Sequence, residues 1–368
     1  MSTIRFVHTD HFRLGTALTG LSDSPGWLQQ LATDCIRRSV RNVIEAAVAR
    51  QAEFLLIAGS VTESREDLES VIRWLDEQFE TLRSRGVRIV AAAGDRETTA
   101  ALERICDIVV PDGQALVASR SHDGGVRLST NSATTSATGD LVISIGDHFA
   151  HSNSHLAYHA VPAIRPNDAE FHAAQTGVLT RSAGAVQAVS PAETWESGCL
   201  LVEADASSRS VKASTIACDV IRFATERVSM ANVAAIGSLV PEVIQASNSL
   251  NGRSTQTLIV DWVLNAKVVA DPSEVASLDE RTLLADLRDR MHGGHHGIWP
   301  RSVAFSGESS LQFAANDRAA LEEYFDATNG PVRTADPSAV SAHRAYLHGG
   351  IGVGSELVTG LSLLHRAA

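Results

Sequence analysis

An α/β fold, a parallel sheet with helices packed on it and a smaller α+β unit after it, is what this sequence predicts. Three observations carry that expectation. Short apolar runs alternate with longer stretches of helical periodicity through the first hundred residues. The apolar runs end on glycine, at Gly59 and Gly94. Past Val220 the pattern changes to a long alternating strand beside two helices.

The elements follow in order. Ile4–Val7 reads as a first strand. Trp27–Gln51 is helical, with Leu28, Leu31, Cys35, Val43, Ile44, Ala47 and Val48 at helical spacing. Phe54–Ala58 is a second strand. Arg65–Arg85 is a second helix with Leu68, Val71, Ile72, Leu75, Phe79 and Leu82 on one face. Val87–Ala92 is a third strand, which completes a βαβαβ unit. Ser119–Gly139, rich in Ser, Thr and Gly, reads as a loop with part of a short hairpin in it. Strands are expected at Leu141–Ile145, Val178–Arg181 and Cys199–Glu203, with a hairpin turn in Ala204–Ser214. In the second unit a helical stretch starts at Ser229 and restarts at Pro241. The alternating strand runs over Thr255–Asn265. A helix with a capping box of Ser277 and Glu280 then carries Leu283, Leu284, Leu287 and Met291. A short helix over Asp317–Ala327 and one more in the last thirty residues close the chain. The domains are expected at 1–219, 220–305 and 306–368.

Composition narrows the function. The chain has 368 residues with 44% hydrophobic and 20% charged, ordinary values for a globular protein. No run approaches 18 consecutive apolar residues, and the N-terminus lacks a basic segment followed by an apolar one. No membrane span or secretion signal is therefore expected, and the expected location is cytoplasmic. The four cysteines are widely spaced and lie in apolar patterns, which reads as buried thiols in a reducing compartment. A formal charge of −12 gives no general attraction to a phosphate backbone, although a local patch can differ from the net.

The order of pieces is recognisable at this point. IRFVHTDHFRLG, the helix from Trp27, AEFLLIAGS, the Arg65 helix and RGVRIVAAAGD follow one another as do the first three motif strands of calcineurin-like metallophosphoesterases. The chain resembles in particular the SbcD-type DNA repair exonucleases. VLTRSAGAVQAVSPAETWESGCLLVEAD resembles that family's later segment, and CDVIRFATERVSM and RSTQTLIVDWVLN its capping domain. The resemblance covers residues 1 to 305 and implies a four-layer αββα sandwich of two sheets flanked by helices, with a small α+β cap.

That family activates water with two metal ions bridged by a carboxylate. Carried over residue by residue, its first motif, Asp-x-His, falls on His11 and Arg13. Its Gly-Asp falls on Gly59 and Ser60, so the bridging carboxylate is a serine. Its Gly-Asn-His-Asp/Glu falls on Gly94, Asp95, Arg96 and Glu97. Its lone histidine corresponds to His148, and its Gly-His-x-His to His159, Ala160, Val161 and Pro162, where both ligands are gone. A serine hydroxyl does not offset two divalent cations, and a guanidinium neither binds metal nor exchanges a proton near pH 7. The implied protein is a degenerate relative, a scaffold or regulatory subunit without a cofactor, whose implied partner is an SbcC-type ATPase. Two alternatives stand beside it. One is a phosphodiesterase or nuclease with an altered site, in which His11, Asp95 and His148 hold one manganese or other divalent ion. The other is a DNA-binding module that kept the groove and lost the chemistry.

Each candidate has a plainer structural reading. Ser60 is a nucleophile or, without a Gly-x-Ser-x-Gly elbow or a visible base, a turn serine. Arg13 and Arg96 are expected to pair with Asp95 and Glu97 as a salt-bridged plug in the former metal slot. His151, His155 and His159 would share a face on a helix and bind zinc, or lie on a polar surface segment. His292–Gly297 is a loop that binds metal adventitiously or not at all. Gly349–Glu356 lacks the strand and the acidic residue of a dinucleotide site. Arg222 and Arg227 touch DNA or are surface residues.

Overall fold

The computed structural model describes residues 3–305 apart from 94, 113–114, 122–123, 131–140, 147–155, 167–177, 206, 234–238, 252–255, 269–279 and 293–296. The expected elements at 306–368, the Gly349–Glu356 stretch, Ser277 of the capping box, and His148, His151 and His155 all lie outside these residues. Contacts divide the chain into two units between Phe223 and Ala224.

The first unit opens with β1 (Thr3–Thr9), α1 (Gly26–Ala49), β2 (Phe54–Ile57), α2 (Leu68–Arg83), β3 (Arg88–Ala93), α3 (Arg96–Leu102) and β4 (Ile108–Pro111). These four strands pair in parallel in the order β1-β2-β3-β4. The next strands are β5 (Ala115–Ser121), β6 (Gly124–Thr130), β7 (Leu141–Ile145), β8 (Leu156–Ala160) and β9 (Val178–Arg181), which form a second sheet in that order. β10 (Gly198–Asp205) and β11 (Ser210–Ala217) return as a hairpin and add antiparallel to β1, giving a six-stranded first sheet. Expected and observed elements agree to within a few residues over α1, α2, β1–β3, β7 and β9–β11.

The two sheets share one core. Phe6 stacks on Phe54 with centroids 4.7 Å apart, and Tyr158 of β8 meets Phe6 edge-on at 5.4 Å. Leu56, Val90, Val202, Leu128, Ile143 and Leu156 fill the remaining space. The opposite face of the first sheet is covered by α1 and α2, whose buried stripes are Leu28, Cys35, Ile36, Val40, Val43, Ile44 and Ala47, and Leu68, Val71, Ile72, Leu75, Phe79 and Leu82. The result is an α/β sandwich compatible with a metallophosphoesterase-like fold. Among the described residues no helix covers the outer face of the second sheet.

Three expectations change. Where it is described, the Ser119–Gly139 segment carries more strand than expected: its short hairpin is the antiparallel pair of β5 and β6, and β6 runs to Thr130 and also pairs with β7, while residues 131–139 lie outside the described residues. His159 is not on a helix. It sits on β8, whose residues Leu156, Tyr158 and Ala160 point into the core between the sheets, so strand period wins over the apparent four-residue spacing. Ser229 does not start a helix either, since β12 (Ile221–Val233) runs through it with Ala224, Glu226 and Val228 partly buried and Thr225, Arg227 and Ser229 exposed.

The second unit, taken by itself, is a three-stranded sheet of β12, β13 (Thr257–Val268) and β14 (Ile298–Phe305) with α4 (Leu239–Asn251) and α5 (Glu280–His292). Leu258, Val260, Trp262 and Leu264 alternate along one face of β13 and pack with Leu283, Leu287 and Met291 of α5 and Leu239, Val240 and Val243 of α4. Arg227 is exposed here. In the first unit Arg222 is taken up by Asp219, through Nε at 2.7 Å and Nη2 at 2.9 Å, with Glu196 at 3.3 Å. All four cysteines are free thiols, and Cys35, Cys199 and Cys218 are buried. No described helix is long and apolar enough to cross a membrane.

Candidate functional site

In a parallel α/β sheet ligands bind beyond the carboxyl ends of the strands. A cleft of about 350 Å³ opens there. Its wall is the turn after β2, from Ala58 through Ser60 and Glu63 to Arg65, joined by Asp95 and Thr98 of α3, Asp112 after β4, Thr130 at the end of β6 and Gly146 after β7. Both sheets therefore contribute, as their shared core requires.

Gly59 makes the turn possible. A Cβ at this position would lie 2.9 Å from the backbone of Asp10 and 3.0 Å from Cε1 of His11, so only glycine lets the loop after β1 reach the end of β2. Gly59→Ala is expected to cost about 1–3 kcal/mol through that overlap, read as a lower midpoint in urea unfolding. An unchanged midpoint would show that the loop yields freely.

The close approach brings His11 onto Ser60. The Ser60 backbone N–H donates to Nδ1 of His11 at 3.3 Å, and Ser60 Oγ lies 2.9 Å from the same nitrogen. A backbone amide can only donate, so Nδ1 carries no proton and the Ser60 hydroxyl donates to it as well. Burial lowers the His11 pKa from its ordinary value, and nearby Arg13 adds to the effect, while Asp10 and Glu63 oppose it. His11 faces Ser60 from behind, and Ser60 lines the cleft.

Arg13 does not plug the cleft with Asp95 and Glu97 as its charge suggested. Its backbone is left-handed, with φ 55°, and its side chain is 8% exposed. Nη1 meets both oxygens of Glu193 at 3.0 and 2.9 Å, and Nε meets Glu63 at 2.9 Å. Glu193 also accepts the Val189 N–H at 3.1 Å. The guanidinium thus reaches toward the loop before β10, where a matched buried carboxylate waits, and its Nε meets Glu63 of the cleft wall.

Asp95 is occupied differently. It caps α3, accepting the Thr98 N–H at 2.9 Å and the Thr98 hydroxyl at 2.7 Å, and those bonds hold its carboxyl below the usual range. Arg96 and Glu97 are exposed in the first turn of the same helix. His159 is buried on β8 with Nδ1 3.3 Å from the Ser144 carbonyl. It does not line the cleft.

Sequence reasoning missed the most elaborate polar feature. His8 and Asp10 are fully buried, with His8 Nε2 donating to Asp10 Oδ1 at 2.7 Å and the Tyr158 hydroxyl 2.8 Å from His8 Nδ1. Asp10 Oδ2 accepts from Ser182 Oγ at 2.8 Å and the Gly184 N–H at 2.9 Å. Burial raises the Tyr158 pKa well above its ordinary value, so the phenol keeps its proton. The network ties β1 of the first sheet to β8 of the second and to the loop after β9. The signal available in sequence was a polar pair, His8 and Asp10, at the end of an apolar strand.

The donor set does not suit a pair of divalent ions. Ser60 offers a neutral hydroxyl, His11 Nδ1 is engaged by Ser60, Arg13 is a fixed cation, and the Asp95 oxygens serve a helix cap. Among the described residues no three His, Cys, Asp or Glu come together in ion-binding geometry.

No family model matches the chain. A stretch of 98 residues, 26% of the chain, is 28% identical to an uncharacterized metallophosphoesterase, YhaO, of Bacillus subtilis (strain 168), and spans 24% of that protein. The chain therefore covers about a quarter of the curated relative that it matches. This similarity supports the calcineurin-like metallophosphoesterase superfamily.

Proposed function

We propose that this protein is an SbcD-like relative of the metallophosphoesterase fold that has lost metal-dependent phosphodiester hydrolysis and works as a scaffold or regulatory subunit. The observation that carries the reading is Arg13. At the position of a metal-binding histidine stands a buried guanidinium locked onto Glu193, and such a group binds no cation and moves no proton near pH 7. Ser60 in place of the bridging carboxylate supports the same conclusion, since a neutral hydroxyl leaves two divalent charges uncompensated. An SbcC-type ATPase is the partner that the resemblance suggests.

The cleft's charge agrees. Among the described lining residues Asp95 and Asp112 outnumber Arg65, while Glu63 is paired with Arg13, so a phosphodiester backbone meets net negative charge. Titration calorimetry with manganese on metal-stripped protein is expected to show no site-sized heat, and bis-p-nitrophenyl phosphate no turnover. Saturable heat that Asp95→Ala or His11→Ala abolishes, with turnover to match, would overturn the proposal in favour of an altered-site phosphodiesterase.

A further inference from the structure

The vacated cleft still holds two groups with a chemistry of their own. Ser60 stands at the carboxyl end of β2, in the wall of an open cleft whose volume of about 350 Å³ suits a small ligand. Its hydroxyl donates to an unprotonated imidazole nitrogen at 2.9 Å, within the range of a nucleophile and its base. The tautomer is set by the 3.3 Å bond from the Ser60 amide. Both residues are pinned through their backbones. Val186 N–H donates to the His11 carbonyl at 3.1 Å, and Phe12 N–H to the Ser60 carbonyl at 3.0 Å. The pair is thus placed by the scaffold and not by a free loop.

We propose that Ser60 and His11 form a nucleophile–base dyad that hydrolyses small neutral or cationic carboxylic esters in this cleft. The substrate class follows from the lining. Among the described lining residues the charged groups are Asp95, Asp112, Arg65 and Glu63, the last of them paired with Arg13. Anionic substrates are repelled, and uncharged or positively charged acyl groups are not. The hydroxyls of Thr62, Thr98 and Thr130 in the same wall donate within the protein, to Leu14, Asp95 and Pro111, and leave only their oxygen lone pairs toward a substrate.

The reaction balances with water alone. Ser60 Oγ bonds to the ester carbonyl carbon while its proton moves to Nδ1 of His11. The bond to the alcohol oxygen breaks, and that oxygen takes the proton from Nδ1. Water then attacks the acyl carbon and gives its proton to Nδ1. The acid is released, and Ser60 Oγ recovers the proton. Asp10 and Glu63 lie near His11 and offset part of the burial that disfavours its charged form.

This inference is separate from the scaffold reading and is tested with different reagents. The full-length chain is treated, in the presence of a chelator, with a fluorophosphonate probe and with p-nitrophenyl butyrate. The expected result is one adduct, placed on Ser60 by peptide mass spectrometry, together with ester turnover that Ser60→Ala abolishes. His11→Gln, confirmed as folded by circular dichroism, is expected to slow labelling by about 100-fold or more. Four outcomes would overturn the dyad: no adduct on Ser60 of the native chain, turnover that survives Ser60→Ala, labelling at the native rate in His11→Gln, or activity that the chelator removes. If Ser60→Ala misfolds, the adduct's position on the native chain decides alone. Failure here leaves the manganese experiment untouched, and a metal-dependent phosphodiesterase would fail that experiment while passing none of these.

Discussion

Replacing Asp10 by alanine is expected to cost about 3–5 kcal/mol of stability, the size seen when one partner of a buried charged network is removed. The carboxylate is fully buried and accepts from His8, Ser182 and the Gly184 N–H. Truncation leaves these three donors, and the Ala163 N–H at 3.4 Å, without their acceptor, and each such buried orphan costs about 1–3 kcal/mol before relaxation. A domain of this kind holds only about 5–15 kcal/mol in total. The first unit should therefore lose much of its cooperativity, and urea unfolding monitored by circular dichroism is the measurement. Asp10→Asn should recover part of the loss, because its amide keeps one acceptor but turns an NH2 toward a donor. A cost below about 1 kcal/mol for Asp10→Ala would mean that water or a repacked side chain replaces the carboxylate.

The second large effect is at Arg13. Arg13→Met keeps most of the volume and deletes the charge, leaving Glu193 buried at 8% exposure without its cation. About 3–5 kcal/mol of destabilisation is expected. Nearly all of it should come through Glu193, because the Glu63 side chain is 44% exposed and its pair with Arg13 is worth little. A double-mutant cycle isolates the term. Arg13→Met with Glu193→Gln should cost less than the sum of the single changes by about 0.5–3 kcal/mol. Strict additivity would show that the pair is not the source. This ion pair is how the chain holds the loop after β1 against the loop before β10, 180 residues away.

The contrast between these two residues shows what could be read ahead. Arg13 was visible as an anomaly, since the resemblance led one to expect a metal-binding histidine there and a guanidinium has no use for metal. Its partner was not visible, because Asp95 and Glu97 look equally suitable in sequence. Asp95 turned out to be committed to the Thr98 amide and hydroxyl, a local bond that a capping reading of Asp-x-x-Thr could have found. His8 and Asp10 passed unremarked for another reason. A polar pair at the end of a strand is ordinary until a second sheet closes over it, and Tyr158 and Ser182 come from that second sheet's end of the chain.

Ser60 is the sharpest case. As sequence it was a turn serine without a base, since no histidine lies near it in the chain. The base is 49 residues earlier, and Gly59 brings the two loops together. Within the chain alone, the alternation of apolar runs and helical stripes determined β1–α1–β2–α2–β3 and the hairpin of β10 and β11, because strand and helix periods are local properties of side-chain placement. That a serine and not a carboxylate follows Gly59 was likewise a matter of residue identity. What only the tertiary structure decided is which charge meets which: Arg13 with Glu193, Asp10 with His8 and Ser182, His11 with Ser60. Hydrogen bonds and ion pairs act over about 3 Å, and which residues come that close is set by how the loops and the two sheets pack.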